Sequence, residues 1–345
     1  MEFIDVIPNV VKGFSLPKGS TVLLHFWGEN EDLEILDKFQ LEIMKEGSVP
    51  IRWQESRNLL KDIFNEAVTK DSSFPNQYEE IFNMADVVVD IFMHGPSPHD
   101  EFPKDKISYY VMYIKNLFSI LSKNKKLFIQ VRVPTEENAR VNDLEFNVYK
   151  KSMIEALCVN LERIKSSCIR VTDKLYNKNK YTIDTFGDNR LSFSTKGRVW
   201  YKDDGNGDIP CGEVYIAPVE ESVDGTIMIP KVHIDGKLFE NVLLKFKEGK
   251  LIECSLQKLM DIIKSYGDKG DVFGEFGIGL NDNIKAVIGC SEVDEKMLGT
   301  VHIAIGMNSE FGGKNESRFH YDFIVEPLKI TADDEIIMEG SQLKI

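Results

Sequence analysis

The stretch from Gly299 to Asp322 holds two of the chain's six histidines in a pattern suited to binding a metal ion. It reads G-T-V-H-I-A-I-G, then a loop rich in Gly, Asn and Ser, then F-H-Y-D. His302 lies within an apolar alternation of strand type. His320 and Asp322 are two positions apart, so on a strand both side chains face the same way. Two neutral imidazoles and a carboxylate form a borderline-soft donor set suited to zinc, iron, cobalt or manganese. The chemistry this spacing points to is therefore metal-dependent.

Two carboxylates upstream sit in unusual surroundings. Glu213 lies in C-G-E-V-Y-I-A-P and Glu275 in G-E-F-G-I-G-L-N. A glycine beside a carboxylate lets backbone approach closely, as a tight cluster of donors requires. The other histidines have plainer roles. His25 falls on an apolar strand and reads as core. His94 and His99, in M-H-G-P-S-P-H-D, read as loop residues, and His233 in V-H-I-D-G belongs to a hairpin. Asp203 to Asp208 (D-D-G-N-G-D) lacks the later glutamate and flanking helices of a calcium loop and reads as a polar turn. The glycines of Gly274 to Gly279 match neither the dinucleotide fingerprint nor the P-loop. No serine or cysteine has the local context of a catalytic nucleophile.

The elements that must hold these residues fall into two textures. Strands are expected at 20–26, 49–53, 85–92 and 127–133, with helices at 32–46, 56–68, 106–121 and 144–166 between or after them. Strands alternating with helices predict an α/β domain with a mostly parallel sheet, covered on both faces. Beyond residue 169 short alternating runs dominate, at 181–185, 191–193, 214–217, 226–229, 238–245 and 251–255, interrupted by a helix at 256–266. This predicts a β-rich α+β domain carrying the metal site. The expected domains are 1–168 and 169–345, in keeping with a length of 345 residues.

Composition narrows the function classes. A chain with 42% hydrophobic and 28% charged residues is built to fold rather than to stay disordered. A formal net charge of −14 repels nucleic acid and anionic membrane surfaces, so neither is an expected partner. The cysteines Cys158, Cys168, Cys211, Cys254 and Cys290 are odd in number and form no C-x-x-C pair, which suits a reducing compartment. The first residues, M-E-F-I-D-V-I-P-N, lack the basic start and apolar run of a signal peptide. The stretch from Ile107 to Leu121 is too short and too interrupted to cross a bilayer. The expected location is the cytoplasm.

Read in order, the motifs form a recognisable series. I-P-C-G-E-V-Y-I-A-P (Ile209 to Pro218) is followed by S-V-D-G (Ser222 to Gly225) and G-E-F-G-I-G-L-N (Gly274 to Asn281). Then come D-E-K-M-L-G-T-V-H-I-A-I-G (Asp294 to Gly306), G-G-K-N-E-S (Gly312 to Ser317) and H-Y-D (His320 to Asp322). This series resembles the thermophilic-type metallo-aminopeptidase family, the aminopeptidase T or S family. The likeness spans most of the chain but is specific from about Arg198 to Asp322. It implies metal ligands at Glu213, Glu275, His302, His320 and Asp322, with Glu275 bridging two ions. It also implies a divalent metal (zinc, cobalt or manganese), a small peptide as substrate and hydrolysis of N-terminal residues by metal-activated water; a homodimer is the assembly considered.

The sequence departs from that family at two positions. A further family glutamate, five residues before the first ligand histidine, is here Met297; the acidic pair Asp294-Glu295 stands two residues earlier. A family tyrosine, seven residues after that histidine, is here Ser309. Pyridine-diol dioxygenases are similar to these peptidases and use a single iron on two histidines and a carboxylate. A ring-cleaving dioxygenase is accordingly the alternative expectation, and a catalytically silent metal-binding relative the third.

Overall fold

The computed structural model describes residues 1–69, 74–123, 125–234, 237–267 and 269–345. The chain divides into two compact units. One comprises Met1–Val141, Glu145–Cys158 and Gly205–Pro210; the other comprises Asn142–Leu144, Val159–Asp204 and Cys211–Ile345.

The first unit runs α1 (Phe3–Gly13), β1 (Thr21–Trp27), α2 (Leu33–Lys45), β2 (Val49–Glu55), α3 (Arg57–Glu66), α4 (Asn76–Asn83), β3 (Val87–Phe92), α5 (Ile107–Ser122), β4 (Leu127–Arg132), α6 (Glu136–Val141) and α7 (Phe146–Leu157). The second opens with α8 (Leu161–Leu175), β5 (Lys180–Thr185), β6 (Asn189–Ser194) and β7 (Tyr201–Asp203). The chain then returns to the first unit for β8 (Asp208–Ile209). The rest of the second unit is β9 (Glu213–Ile216), β10 (Asp224–Ile234), β11 (Lys237–Lys247), β12 (Lys250–Cys254), α9 (Gln257–Ser265), β13 (Phe273–Gly279), α10 (Ser291–Asp294), β14 (Val301–Gly306), β15 (His320–Val325), β16 (Lys329–Ala332), β17 (Glu335–Glu339) and β18 (Gln342–Leu343).

The first unit is the expected parallel α/β fold, with strand order β2-β1-β3-β4-β8. β3 reads V-V-V-D-I-F and is buried throughout, as a strand covered on both faces must be. Leu23, Trp27, Val88 and Phe92 pack on one face with Leu60 and Phe64 of α3, Phe82 of α4 and Tyr113 and Leu117 of α5. The helix expected at 144–166 is two helices. The chain breaks after Leu157, and the side chain of Asn160 accepts a hydrogen bond from the Arg163 backbone N–H, capping α8. The expected boundary at residue 168 thus falls inside α8, which lies wholly in the second unit. Among the described residues no helix is long and apolar enough to cross a membrane.

The second unit is β-rich, with two antiparallel sheets. The larger has the order β12-β11-β10-β6-β5-β16-β17-β18 and the smaller β15-β14-β13-β9-β7. Rings join them: Tyr181 of β5 and Phe193 of β6 lie 5.8 Å and 5.1 Å from Phe276 of β13. The strands of the expected V-H-I-D-G hairpin pair, Ile234 opposite Lys237, while residues 235–236 lie outside the described residues. The motif G-E-F-G-I-G is explained by pleat alternation in β13. Phe276 and Ile278 face the larger sheet, which leaves Glu275, Gly277 and Gly279 on the opposite face.

His25 has the core position expected of it. Its Nδ1 is 2.7 Å from Asp90 and its Nε2 is 3.5 Å from Glu55, all three fully or nearly fully buried. Burial alone lowers its pKa, but Asp90 and Glu55 outweigh burial and raise it from 6.5 to about 9. His25→Leu, which strands two buried acids, should cost about 3–5 kcal/mol. Because the folded pKa is the higher, the histidine's contribution is complete below 6.5 and is lost as pH rises through about 9. The gap between wild type and variant in urea unfolding should therefore narrow from about pH 6 to about pH 10.

Candidate metal centre

One face of the smaller sheet gathers every sequence-predicted site residue. Register shows how. Glu213 pairs with Gly279 and Asp203; Gly277 pairs with Tyr215 on one side and His302 on the other; Asp322 pairs with Ala304, which pairs with Glu275; His320 pairs with Gly306. Paired residues share a face, so Asp203, Glu213, Glu275, His302, His320 and Asp322 project together. The glycines and Ala304 between them keep that face open.

Distances within the cluster are short. His302 Nε2 is 3.1 Å from Glu275 Oε1 and 3.5 Å from Glu213 Oε2. His320 Nε2 is 3.5 Å from Glu275 Oε2 and 3.4 Å from Asp322 Oδ1. Both imidazoles therefore present Nε2 to the two oxygens of a single carboxylate. The Nδ1–H of His320 donates to the Met307 carbonyl at 2.8 Å, which leaves Nε2 as the lone-pair nitrogen when the ring is neutral. His302, Glu275 and Glu213 are buried, whereas the His320 and Asp322 side chains are 27% and 19% exposed, so solvent reaches the cluster along that edge.

Glycine makes this packing possible. A Cβ on Gly277 would lie 2.0 Å from the His302 ring; its absence lets the imidazole lie across the neighbouring strand toward Glu275 and Glu213. A Cβ on Gly279 would lie 2.1 Å from the Met297 carbonyl oxygen, so this glycine admits the segment that follows α10. That segment carries two residues whose place the sequence did not disclose. Glu295, although two positions from the family's glutamate, joins the cluster and can share an ion site with His302 and Asp322. Lys296 is 2% exposed, and its Nζ lies 2.5 Å from Glu213 Oε1, 2.9 Å from Glu295 Oε1 and 3.1 Å from Asp203 Oδ2. Asp203 is correspondingly a buried strand end, not part of a solvated turn, and Asp208–Ile209 pairs with β4. Met297 is half-buried and Ser309 exposed.

The electrostatics are those of a site short of positive charge. Burial lowers the pKa of His302 and His320, but Glu213 and Glu275 around the first, and Asp322 and Glu275 around the second, raise both to about 10. Burial pushes Glu275 above the usual carboxylate range and Glu295 well above it. Burial also acts on Asp322, yet its hydrogen bond with His320 holds it below its ordinary value.

These residues fit a metal ion. Donors of a tetrahedral ion with bonds of ~2.0–2.1 Å stand roughly 3.3 Å apart; His320 Nε2 is 3.5 Å from Glu275 Oε2 and 3.4 Å from Asp322 Oδ1, and His302 Nε2 is 3.1 Å from the other oxygen of the Glu275 carboxylate. Glu213 Oε2 is buried without a hydrogen-bond partner, a further acceptor turned toward the same space. Two donor groups, Glu275–His320–Asp322 and Glu295–His302–Asp322, each bring their ligand atoms within 4.8 Å of one another.

Comparison with known proteins agrees with this geometry. The sequence model of a family described as thermophilic metalloprotease (M29) matches residues 6–335. Among solved structures, the chain is similar to wild-type AmpT from Thermus thermophilus, with a TM-score of 0.73 at 15% identity over 99% of this chain and 100% of that one. It is also similar to 2,5-dihydroxypyridine dioxygenase from Pseudomonas putida KT2440, with a TM-score of 0.67 at 13% identity over 99% and 96% of the two chains. At these identities the likeness is one of fold. No curated protein sequence matches the chain.

Two glycine variants separate positioning from folding. Gly277→Ala meets only a side chain, so the fold should survive while the displaced His302 lowers metal affinity tenfold or more; calorimetric titration with zinc measures this. Gly279→Ala meets backbone and should lower stability by about 1–3 kcal/mol, read from chemical unfolding.

Proposed function

Since the chain belongs to the thermophilic metalloprotease family, we propose that it is a metal-dependent aminopeptidase that removes N-terminal residues from small peptides. The observation that carries this reading is the single Glu275 carboxylate, faced by Nε2 of both His302 and His320 with Asp322 beside it. Glu275, His320 and Asp322 would hold an ion, with His302 and Glu213 alongside. Zinc, cobalt or manganese there would supply a Lewis acid and a means of ionising water near neutral pH.

The remaining work falls to the chain's own groups. The exposed His320–Asp322 edge is where a peptide can approach, and the excess of carboxylates behind it attracts a protonated N-terminal amine. Glu213 Oε2, buried and lacking a hydrogen-bond partner, is placed to take up the proton released by the attacking water and return it to the leaving amine. Beside the cluster the rings of Tyr201, Tyr215, Phe311 and His320 follow one another at 5.7, 5.6 and 6.0 Å, an apolar wall against which a substrate side chain can rest. Ser309, lying exposed, brings no hydroxyphenyl group to the reacting carbonyl, and slow turnover is the expected consequence.

The test is a panel of amino-acid anilides and dipeptides offered to protein loaded with cobalt, zinc or manganese. Hydrolysis is expected with free N-termini and not with acetylated ones. His320→Ala and Asp322→Ala should each lower it by a factor of a hundred or more while circular dichroism stays unchanged. Absence of hydrolysis, together with oxygen uptake on dihydroxylated pyridines after iron loading, would replace this reading with the dioxygenase.

A further inference from the structure

Lys296 is the member of the cluster to which metal-dependent hydrolysis gives no role. An ammonium has three N–H donors and no acceptor. Lys296 Nζ donates to Glu213 Oε1 at 2.5 Å and is ion-paired with Glu295 Oε1 at 2.9 Å and Asp203 Oδ2 at 3.1 Å. The side chain cannot swing to solvent without dismantling this packing. It is 2% exposed, and the Lys296 carbonyl accepts a 2.7 Å hydrogen bond from the Asn281 backbone N–H. The cluster also contains two overlapping donor groups that share Asp322, Glu275–His320–Asp322 and Glu295–His302–Asp322. Taken as carboxylates and imidazoles alone, it has donors for two adjacent cations.

Resting on the metal-centre reading above, we propose that the Lys296 ammonium is the resident cation of the second position, so that the centre holds a single divalent ion. Glu275, His320 and Asp322 would bind that ion, their two carboxylates balancing its charge. On the side of the second group, Glu295 Oε1 and the neighbouring Glu213 Oε1 are held by the ammonium instead. A second ion on those oxygens would stand against a fixed positive charge in a buried site, where repulsion is poorly screened. The lysine thereby acts through Glu295 and Glu213 on whether the second position can fill. It is a positioning residue that sets how many ions bind.

Metal stoichiometry tests this directly. The full chain is saturated with zinc or, separately, manganese, freed of excess, and assayed by mass spectrometry of the metal against protein concentration. One ion per wild-type chain is expected, with the manganese form giving the paramagnetic resonance spectrum of an isolated ion. Lys296→Met, which keeps the length of the side chain without its charge, should bind two ions and give the spectrum of an exchange-coupled pair. Its melting temperature should rise more on zinc addition than that of wild type. Lys296→Arg should remain at one ion. Two ions in wild type would overturn the proposal whether or not any variant folds, and would leave the metalloprotease reading intact. One ion in a Lys296→Met protein with wild-type circular dichroism would also overturn it. A wild-type chain that binds no ion would refute the metal-centre reading and this inference together.

Discussion

The arrangement of the second unit depends on one electrostatic constraint: Asp203, Glu213, Glu275, Glu295 and Asp322 are crowded onto one face of a small sheet and largely removed from water. Carboxylates so placed repel one another and lose hydration, and they persist only where positive charge or protons are supplied. The structure supplies both. Lys296 is bound by three of them, His302 and His320 are driven toward the protonated state, and burial pushes Glu275 above the usual carboxylate range. A divalent ion replacing the protons of the two imidazoles meets the same demand, so metal binding and proton release are coupled here.

The fold meets this constraint with a simple device. Pleat alternation puts Val214, Ile216, Phe276, Ile278, Val301, Ile303 and Ile305 on one side of β9, β13 and β14, all buried, and the polar donors on the other. The apolar side anchors the strands, which lets the donor side be assembled from groups that would not stay together unaided. Gly277 and Gly279 then decide what can lie across that face: the imidazole of His302 and the segment that delivers Glu295 and Lys296. The parallel sheet of the first unit has its own apolar cover, with His25, Asp90 and Glu55 as a separate buried polar group.

Much of this was legible in the order of residues because the signals are local. The H-Y-D spacing puts two donors on one face of one strand, and G-E-F-G-I-G announces a carboxylate among missing side chains. Strands between helices announced a parallel sheet, which the first unit has. What was not legible depends on non-local contact. Asp203 sits in D-D-G-N-G-D, whose composition says turn; only its pairing with Glu213 across the sheet makes it a buried partner of Lys296. Lys296 is one lysine among ordinary neighbours, and a lysine is by default exposed. Glu295 looked two residues out of place because counting along the chain cannot foresee how the segment after α10 folds onto Gly279. The break between α7 and α8 was hidden in a continuous helical periodicity, and Asn160, a good N-cap, was its one local mark.

The central claim, that the convergent face of β9, β13, β14 and β15 is a metal centre, is tested most directly by anomalous diffraction from crystals of the zinc- or cobalt-loaded protein. The claim requires an anomalous peak among Nε2 of His320 and the carboxylates of Glu275 and Asp322, at bond lengths of ~2.0–2.2 Å. A loaded crystal with that space empty, or with its ion held elsewhere on the chain, would contradict it.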